Sequence, residues 1–240
     1  LRTLWIYTYA AIIVFNTLPK LRKVKKLSKE EKFNQQEEIF QTAQQVSEKV
    51  IKKTKTTVEV HGKENLPDGP ALYVANHQGL FDILLLLGYL DRPIGFIAKK
   101  EIKRLPIISS WMEEIGCVFI DRANKREAIK VMAKGIENLK DGYSLVIFPE
   151  GTRSKGASLK EFKAGSLRLG TKAKVPIVPI AIDGTYHMLE GNDGAIKPAH
   201  VQMWIHKPID PEVYQTQKNV EIMENISEEI RTTLLKNTKE

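Results

Sequence analysis

A single cysteine, Cys117, occurs among the 240 residues, so no intrachain disulfide can form. A disulfide scaffold or a thiolate metal cluster therefore finds no support. No His/Cys/Asp group has metal-ligand spacing and no glycine-rich nucleotide motif is present, so neither a metal nor a bound cofactor is expected. Internal repeats and low-complexity linkers are also missing. The apolar stretch from Leu4 to Leu18 (LWIYTYAAIIVFNTL) is shorter than the roughly 20 residues a bilayer-spanning helix wants. Acidic residues are under-represented, 29 against 37 basic, giving a formal charge of +8. Such a balance points to nucleic acid, phosphorylated small molecules or an anionic lipid surface. Basic stripes interleaved with aromatics are absent, as is any nucleic-acid motif, so nucleic acid is not expected as a partner.

What remains is ordinary for a folded chain: 42% hydrophobic and 28% charged, long enough for one sizeable α/β domain plus an appendage or for two small domains. The apolar stretch at the start is followed by Pro19 and a basic run, KLRKVKK at 20–26, rather than by the small-residue cleavage site of a secretory signal. Trp5, Tyr7 and Tyr9 beside that run imply an interfacial anchor on the cytoplasmic face of the cell membrane, each cation adding roughly 1 kcal/mol near an anionic leaflet. Ile39, Ala43, Val46 and Val50 recur at helical spacing, with Phe33 and Phe40 seven apart. One long amphipathic helix is expected over 28–53, against either the membrane or the domain core.

From about Thr56 the pattern changes. Short β-rich runs fall at 58–60, 71–75, 94–98, 117–120, 144–148, 175–182 and 201–205. Helical stretches separate them at 81–89, 106–115, 125–139 and 162–173, with a last one at 220–236. Strands alternating with helices predict an α/β fold with a mixed, largely parallel sheet flanked by helices. The expected division is a helical membrane-anchoring segment over 1–55 and an α/β domain over 56–240.

Two strand ends carry chemistry. The run 71–75 leads into Asn76-His77-Gln78-Gly79-Leu80-Phe81-Asp82. If the chain turns sharply at Gln78-Gly79, Asp82 folds back onto the His77 imidazole and fixes its tautomer, as a general base requires. Alone, such spacing is equally consistent with an aspartate complementing a helix dipole. The second apolar run, 144–148, ends in Phe148-Pro149-Glu150-Gly151-Thr152-Arg153-Ser154, where Gly151 permits close backbone approach and Arg153 suits a phosphate.

With these residues the chain resembles the glycerolipid acyltransferase family, most closely its bacterial 1-acylglycerol-3-phosphate acyltransferases, over about residues 56–210. Four blocks carry the resemblance: Asn76-His77-Gln78 with Asp82; Lys100-Glu101-Ile102 through Pro106, Gly116 and Phe119-Ile120-Asp121-Arg122; Phe148 to Ser154; and Val175 to Pro179. The resemblance implies transfer of a fatty acyl chain from acyl-CoA or acyl-carrier protein to 1-acyl-glycerol 3-phosphate, yielding phosphatidic acid in phospholipid biosynthesis. His77 would be the base and Asp82 its orienting carboxylate. Arg122 and Arg153 would hold the acceptor's phosphate, Glu150 and Gly151 would shape the pocket, and Thr152 would add a hydroxyl contact. No acyl-enzyme is expected, because Cys117 lies outside the blocks and no serine sits in a nucleophile elbow. Backbone N–H groups near Gly79 or Gly151 are the candidates for holding the oxyanion. Arg122 alternatively pairs with Asp121 or another acid. The same chemistry on glycerol 3-phosphate or another lysophospholipid, and a non-catalytic peripheral lipid-binding role, are the alternatives.

Gly79 stands where the family often has serine. The basic group Lys99, Lys100, Lys103 and Arg104 reads either as a contact for lipid phosphates or an acidic carrier protein, or as a solvated face. The prolines in the fourth block predict a strand start or a sheet edge. The other histidines, His61, His187, His200 and His206, have no partner at motif spacing.

Overall fold

A computed structural model describes residues 1–121 and 125–237. Four helices come first: α1 (Arg2–Phe15), α2 (Leu18–Val24), α3 (Lys29–Asn34) and α4 (Gln36–Lys53). Then follow β1 (Thr57–His61), β2 (Leu72–Ala75), α5 (Phe81–Tyr89), β3 (Gly95–Lys99), α6 (Pro106–Glu114), β4 (Val118–Ile120), α7 (Lys125–Lys140) and β5 (Leu145–Ile147). The chain continues with α8 (Arg168–Ala173), β6 (Ile177–Asp183), β7 (His200–Ile205), α9 (Pro211–Tyr214) and α10 (Asn219–Asn237). The strands form one seven-stranded sheet in the order β1-β7-β6-β2-β5-β3-β4. Only the β6–β7 pair is antiparallel. The expected mixed, largely parallel sheet flanked by helices is therefore the architecture observed.

Alternation along β2 explains the layering. Tyr73 and Ala75 face a core that also takes in Ile6, Leu21, Ile39, Phe40, Leu85 and Trp111, from the N-terminal helices, α5 and α6. Leu72 and Val74 face the opposite core, filled from α7, α8 and α10 by Val131, Leu139, Leu169, Ile226 and Ile230. Burial on both faces is why β2 reads as an unbroken apolar run.

Three expectations need correction. The helix expected over 28–53 is two helices, because Gln35 leaves helical geometry at φ −112°, ψ 16°. Ser28 opens the first with a reciprocal capping box to Glu31. The break sends Phe33 to Tyr143, edge-on at 5.8 Å, while Phe40 enters the core, so the two rings do not share a face. The stretch 162–173 is helical only from Ala164, as a 3-10 turn over Ala164–Leu167 that runs into α8.

The third concerns the prolines, expected to mark a strand start or an edge: Pro176 directly precedes β6 and marks its start, but Pro179 lies inside the strand. β6 is an interior strand, not an edge. Pro179 is tolerated there because the ladder to β7 breaks beside it. Ile180 pairs with Ile205 and Ile177 with Ile209, so three residue steps on one chain face four on the other. A proline without an N–H belongs at such a bulge.

The first helix divides its surface. Ile6 is buried, and Thr3 accepts a hydrogen bond from the N–H of Ile196 at 2.9 Å. Leu4, Trp5, Tyr7, Ile12 and Phe15 remain exposed, and the Lys53 ammonium sits over the rings of Trp5 (5.2 Å) and Tyr9 (5.0 Å). Among the described residues no single helix is long and apolar enough to cross a membrane. The bent pair α1 and α2, at 41° to each other, passes that test only jointly.

Candidate active site

Three neighbouring parallel strands, β6, β2 and β5, end on the same side of the sheet. Their following loops meet there, as the carboxyl ends of α/β strands commonly do around a site. The loop after β2 is held at its start by Asn76. Its amide donates to the carbonyl of Ile182 and accepts from the N–H of the same residue, both at 2.8 Å. A buried side chain thus extends the ladder by one rung just where the backbone departs from it.

Past that rung the chain turns through Gln78 and Gly79 into α5, and Asp82 folds back as the spacing requires. Its Oδ2 lies 2.7 Å from Nδ1 of His77 and accepts the Gly79 N–H at 2.9 Å. Its Oδ1 accepts the hydroxyl of Thr185, which comes from the loop after β6. Asp82 is fully buried. An ionised carboxylate in such a place needs its lone pairs met, and three donors meet them. With Nδ1 committed to Asp82, Nε2 is the nitrogen left for chemistry, and among the described residues it takes no hydrogen bond. The ring stacks on Phe148 with centroids 3.9 Å apart, and Phe96 lies behind Phe148 at 6.3 Å.

The loop after β5 is bonded to this turn rather than merely close to it. The N–H of Ser154 donates to the His77 carbonyl at 2.7 Å, and that of Lys155 to the Gln78 carbonyl at 3.1 Å. Glu150 lies beneath, accepting the N–H of His77 at 2.7 Å and of Lys160 at 3.2 Å. Burial pushes its carboxyl above the ordinary carboxylate value, and the two N–H donors offset part of that. Gly151 holds φ +73°, which few side chains tolerate. Thr152 is exposed at the loop surface.

Arg153 extends from the same loop to Glu190, with Nη1 2.7 Å from Oε1. That oxygen also accepts the N–H of Leu80 at 2.9 Å, whereas Oε2 is buried without a partner among the described residues. Of the expected site residues, His77, Asp82, Glu150, Gly151 and Arg153 therefore converge. Arg122 lies outside the described residues.

Of the N–H groups expected near Gly79 or Gly151 to hold the oxyanion, those of the two glycines themselves are already bonded. The Gly79 N–H is committed to Asp82 and that of Gly151 to the carbonyl of Phe148 at 3.0 Å. Cys117 is buried, accepts the Phe96 N–H, and has its thiol pushed up to about 12, so it stays protonated and unreactive at neutral pH. In the basic group, Lys100 pairs with Asp121, and Lys103 lies 3.8 Å from Glu113 and over the Phe119 ring. Lys99 and Arg104 are exposed.

Thr185 and Glu190, whose side chains bond Asp82 and Arg153, lie outside every motif. They follow β6 in short 3-10 turns, Thr185–Met188 and Glu190–Asn192. Gly184 at φ +88° precedes the first of these turns, and Asp193 and Gly194 at φ +51° and +81° follow the second. A cavity of about 420 Å³ lies elsewhere, between His61, Trp204, Lys207 and Lys236 beside α10, and none of the site residues lines it.

Known proteins can now be set beside this geometry. The family model described as Acyltransferase matches residues 57–183. The chain is 40% identical over 155 residues to the 1-acyl-sn-glycerol-3-phosphate acyltransferase LPAT1, chloroplastic, of Arabidopsis thaliana, covering 63% of this chain and 43% of that one. It is 34% identical over 180 residues to the 1-acyl-sn-glycerol-3-phosphate acyltransferase of Saccharomyces cerevisiae, covering 74% and 59%. The chain thus spans about half the length of these curated relatives. The crystal structure of the 1-acyl-sn-glycerophosphate acyltransferase PlsC from Thermotoga maritima superposes with a TM-score of 0.86 at 29% identity, over 100% of this chain and 95% of that one.

Proposed function

The chain belongs to the acyltransferase family, and on that premise we propose that it transfers a fatty acyl chain from an acyl thioester to the sn-2 hydroxyl of 1-acyl-glycerol 3-phosphate, yielding phosphatidic acid. The observation that carries the reading is the buried Asp82 bonded to His77 Nδ1 at 2.7 Å, which leaves Nε2 as the base.

The acceptor hydroxyl gives its proton to Nε2 as its oxygen attacks the thioester carbonyl. Asp82 stabilises the imidazolium that results, without taking the proton itself. Collapse of the tetrahedral adduct breaks the carbon–sulfur bond, and the imidazolium proton goes to the departing thiolate. Thiolates leave readily, so the step needs little acid assistance. Base catalysis of this kind contributes about 10²–10⁴ in rate, and placement of the two substrates supplies much of the rest. Arg153 meets the acceptor's phosphate, with Arg122 as the second expected contact and Glu150, Gly151 and Thr152 shaping the loop around it. No cofactor takes part. The donor is a thioester of coenzyme A or of acyl-carrier protein.

The membrane supplies the acceptor. The exposed Leu4, Trp5, Tyr7, Ile12 and Phe15, with the cations Arg22, Lys23, Lys25 and Lys26 that follow, form an apolar and basic surface suited to an anionic leaflet. In a cell, that leaflet is the cytoplasmic face.

The test is transfer from a radiolabelled palmitoyl thioester to lysophosphatidic acid, compared with glycerol 3-phosphate as acceptor. Phosphatidic acid from the wild type, falling by about 10³-fold or more in His77→Ala, is the expected result. Undiminished product in the mutant removes His77 as base, and no wild-type product with either acceptor leaves lipid binding without catalysis.

A further inference from the structure

Two carboxylates beside the His77 turn are employed by neither the reaction nor the motif blocks: Asp183, which accepts from the Gln78 amide at 3.0 Å, and Glu190, which reaches Arg153. The Glu190 side chain is only 7% exposed. One oxygen gathers two donors from different loops, Nη1 of Arg153 at 2.7 Å and the N–H of Leu80 at 2.9 Å. Arg153 is itself 41% exposed, and among the described residues its Nε and Nη2 groups take no hydrogen bond. The guanidinium is therefore held by one corner while its other donors are unbonded among the described residues. A planar fork held that way is already aimed, and less freedom is lost when an oxyanion meets it.

The neighbour that makes room for Glu190 is Gly79. A Cβ at position 79 would lie 2.4 Å from Oε2, 3.0 Å from Cδ and 3.3 Å from Oε1 of Glu190, and would meet no other residue that closely. Gly79 has no left-handed backbone to explain it. The flexible carboxylate would yield to a methyl group there, and in yielding would leave both Arg153 and Leu80.

We propose that Glu190 is a positioning residue that fixes Arg153 for the acceptor's phosphate, and that Gly79 is glycine in this chain so that Glu190 can occupy that place. The inference rests on the phosphate role proposed above for Arg153. It concerns acceptor recognition rather than the proton transfer, since Glu190 touches neither His77 nor Asp82 among the bonds that hold them.

Steady-state transfer by the full chain, with the lysophosphatidate concentration varied, tests it. Glu190→Ala and Gly79→Ala are each expected to raise the acceptor KM about tenfold, the effect of losing one charge-assisted bond, with kcat changed by less than about threefold. Glu190→Gln keeps the accepting oxygen and is expected to stay within about threefold of wild type. The double variant Gly79→Ala/Glu190→Ala should be no worse than the poorer single, because both act by removing the same contact. Multiplying effects in the double variant overturn the inference. So does an unchanged or lowered KM in Glu190→Ala while Arg153→Ala raises it, the lowered value meaning that the carboxylate competes with phosphate. An unchanged KM in Arg153→Ala overturns both this inference and the phosphate role beneath it.

Discussion

The loops that follow β2 and β6 leave adjacent parallel strands on the same side of the sheet, and each holds a buried carboxylate in its own way. Asp82 uses both oxygens, with a ring nitrogen, a backbone N–H and a hydroxyl bonded to them. Glu190 loads one oxygen with two donors and leaves the other without any. A carboxylate that must stay ionised at 0% exposure has to be saturated, since an unmet charge there costs several kcal/mol. Glu190, itself 7% exposed, is joined to an arginine that is 41% exposed, so solvent reaches the arginine and screens the pair. The difference separates a group that sets the state of the base from one that sets the direction of a binding residue.

Breaking the saturated side should give the largest effect. Asp82→Asn keeps the shape but presents an amide to Nδ1, and kcat should fall about 10³-fold while the acceptor KM hardly moves. A comparable loss in KM would instead place Asp82 in acceptor binding and erase the contrast with Glu190. A smaller change is expected from Thr185→Val, which removes one of the three donors at nearly constant volume. A buried acceptor left short of a partner is penalised by about 1–3 kcal/mol, and kcat should drop roughly tenfold, with Thr185→Ser largely restoring it. If the valine variant turns over like wild type, the hydroxyl does not hold Asp82 in place.

Glu150 offers the smallest effect, and it is read in stability. Its carboxyl is raised in the folded state, so the native protein keeps a proton that the unfolded chain releases near an ordinary value of about 4.3. That group therefore favours folding below this value, and the advantage is lost as pH rises through the raised one. Thermal midpoints of Glu150→Gln and wild type should consequently converge or cross in the variant's favour as pH rises above the ordinary carboxylate value. A difference that stays constant with pH would show that burial of the charge is not what Glu150 contends with.

Much of this was legible. Strands at all seven expected places and the α5 helix over Phe81–Tyr89 follow from apolar runs and their punctuation. So does the return of Asp82 onto His77, because five residues separate them and a Gln78-Gly79 turn can close that distance locally. Arg153 was found for its chemistry but not its restraint, since Glu190 lies 37 residues away and after a different strand. The long helix over 28–53 was misread because periodicity cannot register a break that Gln35 takes so that Phe33 and Phe40 can pack in separate places. For the prolines of the fourth block, a strand start holds at Pro176, whereas Pro179 sits inside β6, where a bulge overrides the usual meaning of proline.

By itself, then, the sequence determined the alternation of strands and helices, the two polar strand ends and the pairing of base with carboxylate, all of which depend on residues within one strand, turn and helix. Tertiary structure alone decided that β6 lies beside β2, and with it that Thr185 saturates Asp82 and Glu190 restrains Arg153 across separations of 103 and 37 residues. Strand order arises from how whole faces pack, and no local period carries it.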